Sequence, residues 1–97
     1  MFKQLDPLLL SQARLSILSL LSQQKEAEFT FIKGKIKITA GNLSIQLSKL
    51  RGAGFIEITK QFKGNYPLTI CKITSEGLLA FEQFIDAINT YKPTPEL

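Results

Sequence analysis

A mainly helical domain carrying one β-hairpin is the fold class this sequence predicts, and three observations predict it. Apolar residues recur at helical spacing near residues 10–21, 43–50 and 80–91. One stretch, 55–73, alternates like a pair of strands and holds the turn-forming Gly64-Asn65 at its centre. The chain has 97 residues and is 44% hydrophobic, enough for a single modest core. One domain over residues 1–97 is therefore expected, with its core at about 6–91 and a tail at 92–97.

The first helix is expected to start at Asp6-Pro7, an N-cap acid before a proline whose missing N–H costs nothing at the first helical position. Leu10, Ala13, Ile17, Leu20 and Leu21 mark its buried face as far as about Gln24. The segment SQQKEAE reads as a polar connection. FTFIKGKIKI fits either period: Phe29, Ile32 and Ile36 have helical spacing, whereas Ile36 and Ile38 alternate with lysines. A short helix is favoured, weakened at Gly34 by up to ~1 kcal/mol relative to alanine.

Thr39 offers an N-cap hydroxyl to a third helix ending near Arg51, with Gly52 and Gly54 placed to terminate it. FIEITKQF and LTICKI then read as the two strands of the hairpin. Ile56, Ile58 and Phe62 share one parity, while Ile70 and Ile73 must face opposite sides, so the inward parity of the second strand stays open. Thr74 can cap a last helix that ends near Tyr91, before Pro93 and Pro95. Helix, short helix, helix, hairpin, helix is the order of a winged helix-turn-helix. The third helix would be the recognition helix and the hairpin the wing.

Charge is unevenly distributed. Residues 33–72 hold eight basic residues against Glu57 alone, a net +7, whereas the remainder holds four basic and seven acidic residues, a net −3. Such a basic middle suits a polyanionic partner if folding gathers the charges on one face. The sequence contains no histidine and one cysteine, Cys71. That removes His-based acid–base catalysis, the His-dependent nucleophile pairs and the usual zinc ligand sets. Without a glycine-rich phosphate loop or a convincing carboxylate pair, an enzyme is not expected, and neither is a cofactor or metal. No apolar run approaches a membrane span and the N-terminus lacks a signal-peptide pattern, so a cytoplasmic location is expected. The lone cysteine fits that compartment and reads as an inert strand residue.

The outer face of the third helix is informative. With Leu43 at 0° and steps of ~100° per residue, Gly41, Ile45 and Ser48 lie within about 40° of the outward pole, flanked by Ser44 and Lys49. Asn42 lies further round. A merely solvated helix gains from Glu/Lys pairs four apart, and none occurs here. Short polar residues instead allow close approach to base edges in a major groove that just admits a helix.

The residues now carry a resemblance. LDPLLLSQARLSIL, with Arg14-Leu15-x-Ile17-Leu18-x-x-Leu21, is similar to the opening of the small winged-helix regulators related to the multiple-antibiotic-resistance and arsenical-resistance repressors. TAGNLSIQLSKLRGAGFIEI resembles their recognition helix and its stop, through Asn42-Leu43-Ser44 and Leu47-x-x-Leu50-x-x-x-Gly54-Phe55-Ile56. FKGNYPLTICKITSEG resembles their wing, with Pro67 and Ile73-Thr74-x-x-Gly77 in place. The resemblance runs from Leu5 to about Tyr91. It implies a dimeric, sequence-specific binder of double-stranded DNA that regulates transcription, as a repressor. The candidate DNA-contacting residues are Thr39, Asn42, Ser44, Ile45, Gln46, Ser48 and Lys49 on the recognition helix, with Lys60, Lys63, Asn65 and Tyr66 on the wing. Ile45 and the Asn65-Tyr66 pair depart from the family, which often carries basic residues there. With one Cys and no His, a metal sensor of the arsenical-resistance kind is not expected.

The last helix has an apolar arc of roughly 160°, wider than the ~100° a core-facing helix needs. The surplus reads either as more core or as a homodimer face. The homodimer is preferred, with Leu8, Leu9, Leu10, Phe84, Ile85, Ile88 and Tyr91 as its candidate interface. A twofold dimer would set two recognition helices ~34 Å apart. No separate effector-binding domain is evident, so a small-molecule effector is unknown. The alternative reading is a winged-helix module that docks a protein and does not read an operator; nonspecific DNA coating is a third.

Overall fold

A computed structural model describes residues 1–93; the end of the proline tail, including Pro95, lies outside the described residues. Seven regular elements follow one another: α1 (Gln12–Gln24), β1 (Glu26–Glu28), α2 (Phe29–Ile36), α3 (Ala40–Gly52), β2 (Ile56–Lys63), β3 (Tyr66–Ile73) and α4 (Ser75–Asn89). The architecture is a winged helix-turn-helix.

The start of the chain differs from expectation. Asp6 and Pro7 do open a helical turn, but it is a separate 3-10 turn, Pro7–Leu9, in which the Asp6 carboxylate accepts from the Leu8 N–H at 3.0 Å. The chain breaks at Leu10 and restarts at Ser11, whose hydroxyl accepts from the Arg14 N–H and caps α1. The break lets Leu9 turn wholly into the core while Leu10 stays exposed. On α1 the fully buried residues are Ile17, Leu18 and Leu21; Leu20 packs half-buried against the same core, and Leu18 is an inward residue the spacing did not mark.

The polar connection after α1 contains a strand. Lys25 leaves the helix at φ 69°, and β1 then pairs antiparallel with β3 through Glu26–Lys72, Ala27–Cys71 and Glu28–Ile70. The sheet is three-stranded, in the order β1-β3-β2, where two strands were expected. Nothing in Glu-Ala-Glu favours a strand by itself; the partner imposes it. The ambiguous 29–36 stretch is helical, and Lys37 closes it in the left-handed conformation.

The termination of α3 follows a Schellman pattern. The Phe55 N–H bonds the Leu50 carbonyl at 3.0 Å, the Gly54 N–H bonds that of Arg51 at 2.9 Å, and Gly54 has φ +80°. Of the two candidate glycines, Gly54 makes the turn and Gly52 is the last helical residue. The β2–β3 register pairs Ile56 with Ile73 and Ile58 with Cys71, which settles the inward parity of β3. These side chains join Leu9, Ile17, Leu18, Leu21, Ile32, Leu43, Leu47, Leu50 and Phe84 in one core. Thr74 couples the two halves: its hydroxyl donates to the Gly54 carbonyl at 2.6 Å and accepts from the Gly77 N–H at 3.0 Å, capping α4.

Candidate nucleic-acid interface

The N-terminus of α3 is fixed first. Thr39 caps it, its hydroxyl accepting from the Asn42 N–H at 3.1 Å. Leu43, Leu47 and Leu50 anchor the inner face in the core. This leaves Gly41, Asn42, Ser44, Ile45, Ser48 and Lys49 on the exposed side, as their spacing predicts. Ile45 is 56% exposed, an apolar side chain at the outward pole.

Gln46 departs from its expected role. It is half-buried, its Oε1 accepts from an Arg14 guanidinium N–H, and its Nε2 donates to Asn42 Oδ1 at 2.9 Å. Both ends of its amide are therefore engaged within the domain, and Gln46 acts as a brace between α1 and α3 rather than as a free groove contact. The family resemblance implies a contact here; the partner that claims Gln46 lies 32 residues earlier in the chain.

The wing turns tightly. Lys63 pairs with Tyr66 across a two-residue loop in which Gly64 has φ +64°, a conformation for which glycine at the first loop position is suited. Pro67 faces Phe62 in the ladder; β1 reaches only as far as Ile70, so the other side of β3 is open there and the missing N–H does no harm. Side chains alternate along the ribbon. Lys60 and Phe62 continue the parity of Ile56 and Ile58, while Lys63 and Tyr66 take the opposite one. Lys60, Lys63, Asn65 and Tyr66 are all exposed. Phe62 is 75% exposed, because the ribbon has outrun the core by that point. It was not among the expected contacts, although an aromatic two residues beyond Lys60 on the inward parity could have flagged it. Where the wing meets α3, Phe29, Ser44, Leu47, Ser48, Ile58, Lys60 and Thr69 line an open groove of about 320 Å³.

The eight basic residues of the 33–72 segment fall in three places, and Lys33, Lys35 and Lys37 stand at the end of α2. Lys49, Lys60 and Lys63 lie on α3 and the wing, with Arg51 at the end of α3. Lys72 instead sits in the ladder between Glu26 on β1 and Glu57 on β2, so its charge is offset locally. Among the described residues, no group of three or more His, Cys, Asp or Glu stands close enough to hold a metal ion. Cys71 is fully buried, and burial pushes its thiol pKa up to about 11.

Two residues of the expected dimer face are claimed by the core. Leu9 is fully buried and Phe84 nearly so, which leaves neither free for a second copy; Leu8 is half-buried against the same core. Leu10, Ile85, Ile88 and Tyr91 are exposed, as are Leu78 and Leu79, which the sequence reading did not single out. Tyr91 is engaged from the N-terminal side: its ring stacks on Phe2 with centroids 4.9 Å apart, and its hydroxyl donates to the Lys3 carbonyl at 3.0 Å.

Comparison with known proteins extends this picture. A family model described as a winged helix DNA-binding domain matches residues 13–91. An uncharacterised protein of Methanocaldococcus jannaschii is 40% identical over 75 residues, covering 77% of this chain and 82% of that one. A transcriptional regulator homologue from Pyrococcus horikoshii OT3 is similar in structure, with a TM-score of 0.82 and 25% identity over 87% of this chain and 83% of that one. A mutant MarR from E. coli, solved in complex with operator DNA, has a TM-score of 0.74 and 19% identity, over 88% of this chain and 60% of that one. At that identity the likeness is one of fold.

Proposed function

The chain belongs to the winged helix DNA-binding domain family, and from that membership we propose that it is a homodimeric transcriptional repressor that binds double-stranded DNA sequence-specifically. In this reading α3 enters the major groove and the wing, residues 60–67, tracks the flanking minor groove or backbone. One observation carries it: α3 exposes Gly41, Asn42, Ser44, Ser48 and Lys49 around Ile45 as an acid-free face of mostly small polar residues, and Ser44 and Ser48 share a groove with Lys60. Small side chains let the helix backbone approach base edges, hydroxyls and the amide supply hydrogen bonds, and Lys49, Lys60 and Lys63 supply charge to phosphates.

The dimer rests on the apolar surface of α4. Leu78, Ile85 and Ile88 are exposed there, with Leu10 near the N-terminus, and a second copy would cover them. A twofold dimer would present two copies of α3 to a pseudopalindromic site.

Fluorescence anisotropy tests the reading. The purified chain is titrated against the DNA upstream of its own gene and against a scrambled duplex, across roughly 50–200 mM salt. Tight binding, a steep salt slope and a preference of about a thousandfold for the upstream DNA are expected. Weak and equal binding to both duplexes would count against it. A second reading then gains ground, because Ile45, Phe62 and Tyr66 put three exposed apolar side chains on α3 and the wing, and the last two are 75% and 71% exposed. Phe62 and Tyr66 stand on opposite faces of the ribbon, so a protein partner would clasp the wing from both sides; a pulldown from source-cell lysate with Ile45→Glu as control addresses it.

A further inference from the structure

Arg14 does not touch Asn42, yet it determines which way the Asn42 carboxamide points. The side chain of Arg14 is half-buried, with Nε donating to the Leu8 carbonyl and Nη1 donating to Gln46 Oε1. A guanidinium has only donors and stays charged at any accessible pH, so the Gln46 atom that meets it must be the oxygen. The Gln46 nitrogen is thereby directed the other way, and it donates to Asn42 Oδ1 at 2.9 Å, one helical turn earlier. Asn42 is exposed, and with its oxygen held against Gln46 its Nδ2 is left with two free N–H donors in the first turn of α3.

We propose that Asn42 is a specificity-determining residue that reads the acceptor edge of guanine, and that Gln46 and Arg14 are the positioning residues that make it a donor. This rests on α3 being the recognition helix. The usual asparagine pairing, with adenine, needs the side-chain oxygen to accept from N6 while the nitrogen donates to N7. Here the oxygen is turned away and tied. Guanine presents N7 and O6, two acceptors that match the two donors of one amino group. Sequence information thus originates in a charge on α1, passes through two amides and emerges at the groove.

The test is a base-preference profile from a randomised-duplex selection, run with wild type, Asn42→Ala and Gln46→Glu. Wild type should favour guanine over adenine by about fivefold or more at the position that Asn42→Ala renders degenerate. Glutamate at position 46 carries no donor; its carboxylate accepts from Arg14 and from Asn42 Nδ2, which turns Asn42 Oδ1 outward. The preference at that one position should then move to an amino-bearing base, adenine or cytosine. The added negative charge lowers affinity for every duplex, but a changed base at one position does not follow from that. Guanine retained by Gln46→Glu, or a wild-type profile unaltered by Asn42→Ala, overturns the proposal while leaving sequence-specific binding intact. A wild-type profile flat at every position overturns the proposed function as well. In the free protein, side-chain amide exchange by NMR should be slower at Gln46 than at the exposed Gln61; equal rates would show that the brace is absent.

Discussion

A Cβ added to Gly77 would stand 2.1 Å from the carbonyl oxygen of Phe55 and 2.9 Å from its carbonyl carbon. The same carbonyl accepts from the Thr74 N–H at 3.0 Å, so the first turn of α4 is pressed against the residue that leads from α3 into the wing. Neither contact atom belongs to a flexible side chain. Gly77→Ala should therefore force α4 away from the base of the sheet and destabilise the fold by about 3 kcal/mol or more. Gly34 is the control, since an added Cβ there meets nothing within 4 Å. Gly34→Ala should stabilise by up to ~1 kcal/mol through helix propensity alone. Urea denaturation of both variants checks the pair, and equal shifts would mean that α4 sits less tightly than described.

The cap at Thr39 holds the first turn of α3. Thr39→Ala should cost about 1 kcal/mol of stability, while Thr39→Ser should be nearly neutral. Thermal melts distinguish them, and no difference between the two would remove the hydroxyl from the cap.

Charge on α3 and the wing should act on every duplex alike. Lys49→Ala and Lys63→Ala should each weaken binding to specific and scrambled DNA in parallel and lower the salt slope by about 0.9 per protomer, hence about 1.8 for a bound dimer. Lys72→Ala should leave the slope unchanged, because Glu26 and Glu57 flank Lys72 in the ladder. A slope that fell equally for all three would mean that net charge, not placement, governs binding.

The α4 surface separates assembly from folding. Ile85→Glu and Ile88→Glu lie on exposed positions and should dissociate a dimer without unfolding the chain. Phe84→Ala should instead cost about 3–5 kcal/mol, as expected for truncating a buried aromatic. Sedimentation equilibrium beside circular dichroism resolves the two effects; a wild-type chain that sediments as a monomer would remove the dimer.

Cys71 should be unreactive in the native state. Burial raises its thiol from 9.0 to about 11, so the neutral form prevails at neutral pH and a thiol reagent should label it only on unfolding. The sign of the pH effect follows. The folded chain holds this proton more tightly than the unfolded one. The stability it contributes is complete below about pH 9 and declines as pH rises toward 11. Rapid labelling of native protein at pH 8 would contradict the burial.

Local chemistry made most of this chain legible. Thr39 and Thr74 announced their caps, Gly54 its left-handed stop, and Gly64-Asn65 its hairpin. The leucine spacing of α3 identified both the anchored face and the exposed one. Each of these signals is carried by residues within a few positions of one another, where dihedral preference and side-chain period dominate. Leu9 and Phe84, by contrast, were apolar without being surplus. Their burial depends on how α1, α4 and the 3-10 turn pack together, which spacing within one element does not report.

Short-range sterics and hydrogen bonding already set the order of helices and hairpin, the caps of α3 and α4, and the largely polar face that α3 turns outward. Only the tertiary structure made a strand of Glu26–Glu28, since its ladder bonds come from β3 some forty residues later. Only the tertiary structure ties up the Gln46 amide, since its oxygen is claimed by a charge on another helix. A backbone strip or an amide acquires its role from whichever partner folding brings within hydrogen-bond reach, and that partner need not be near in sequence.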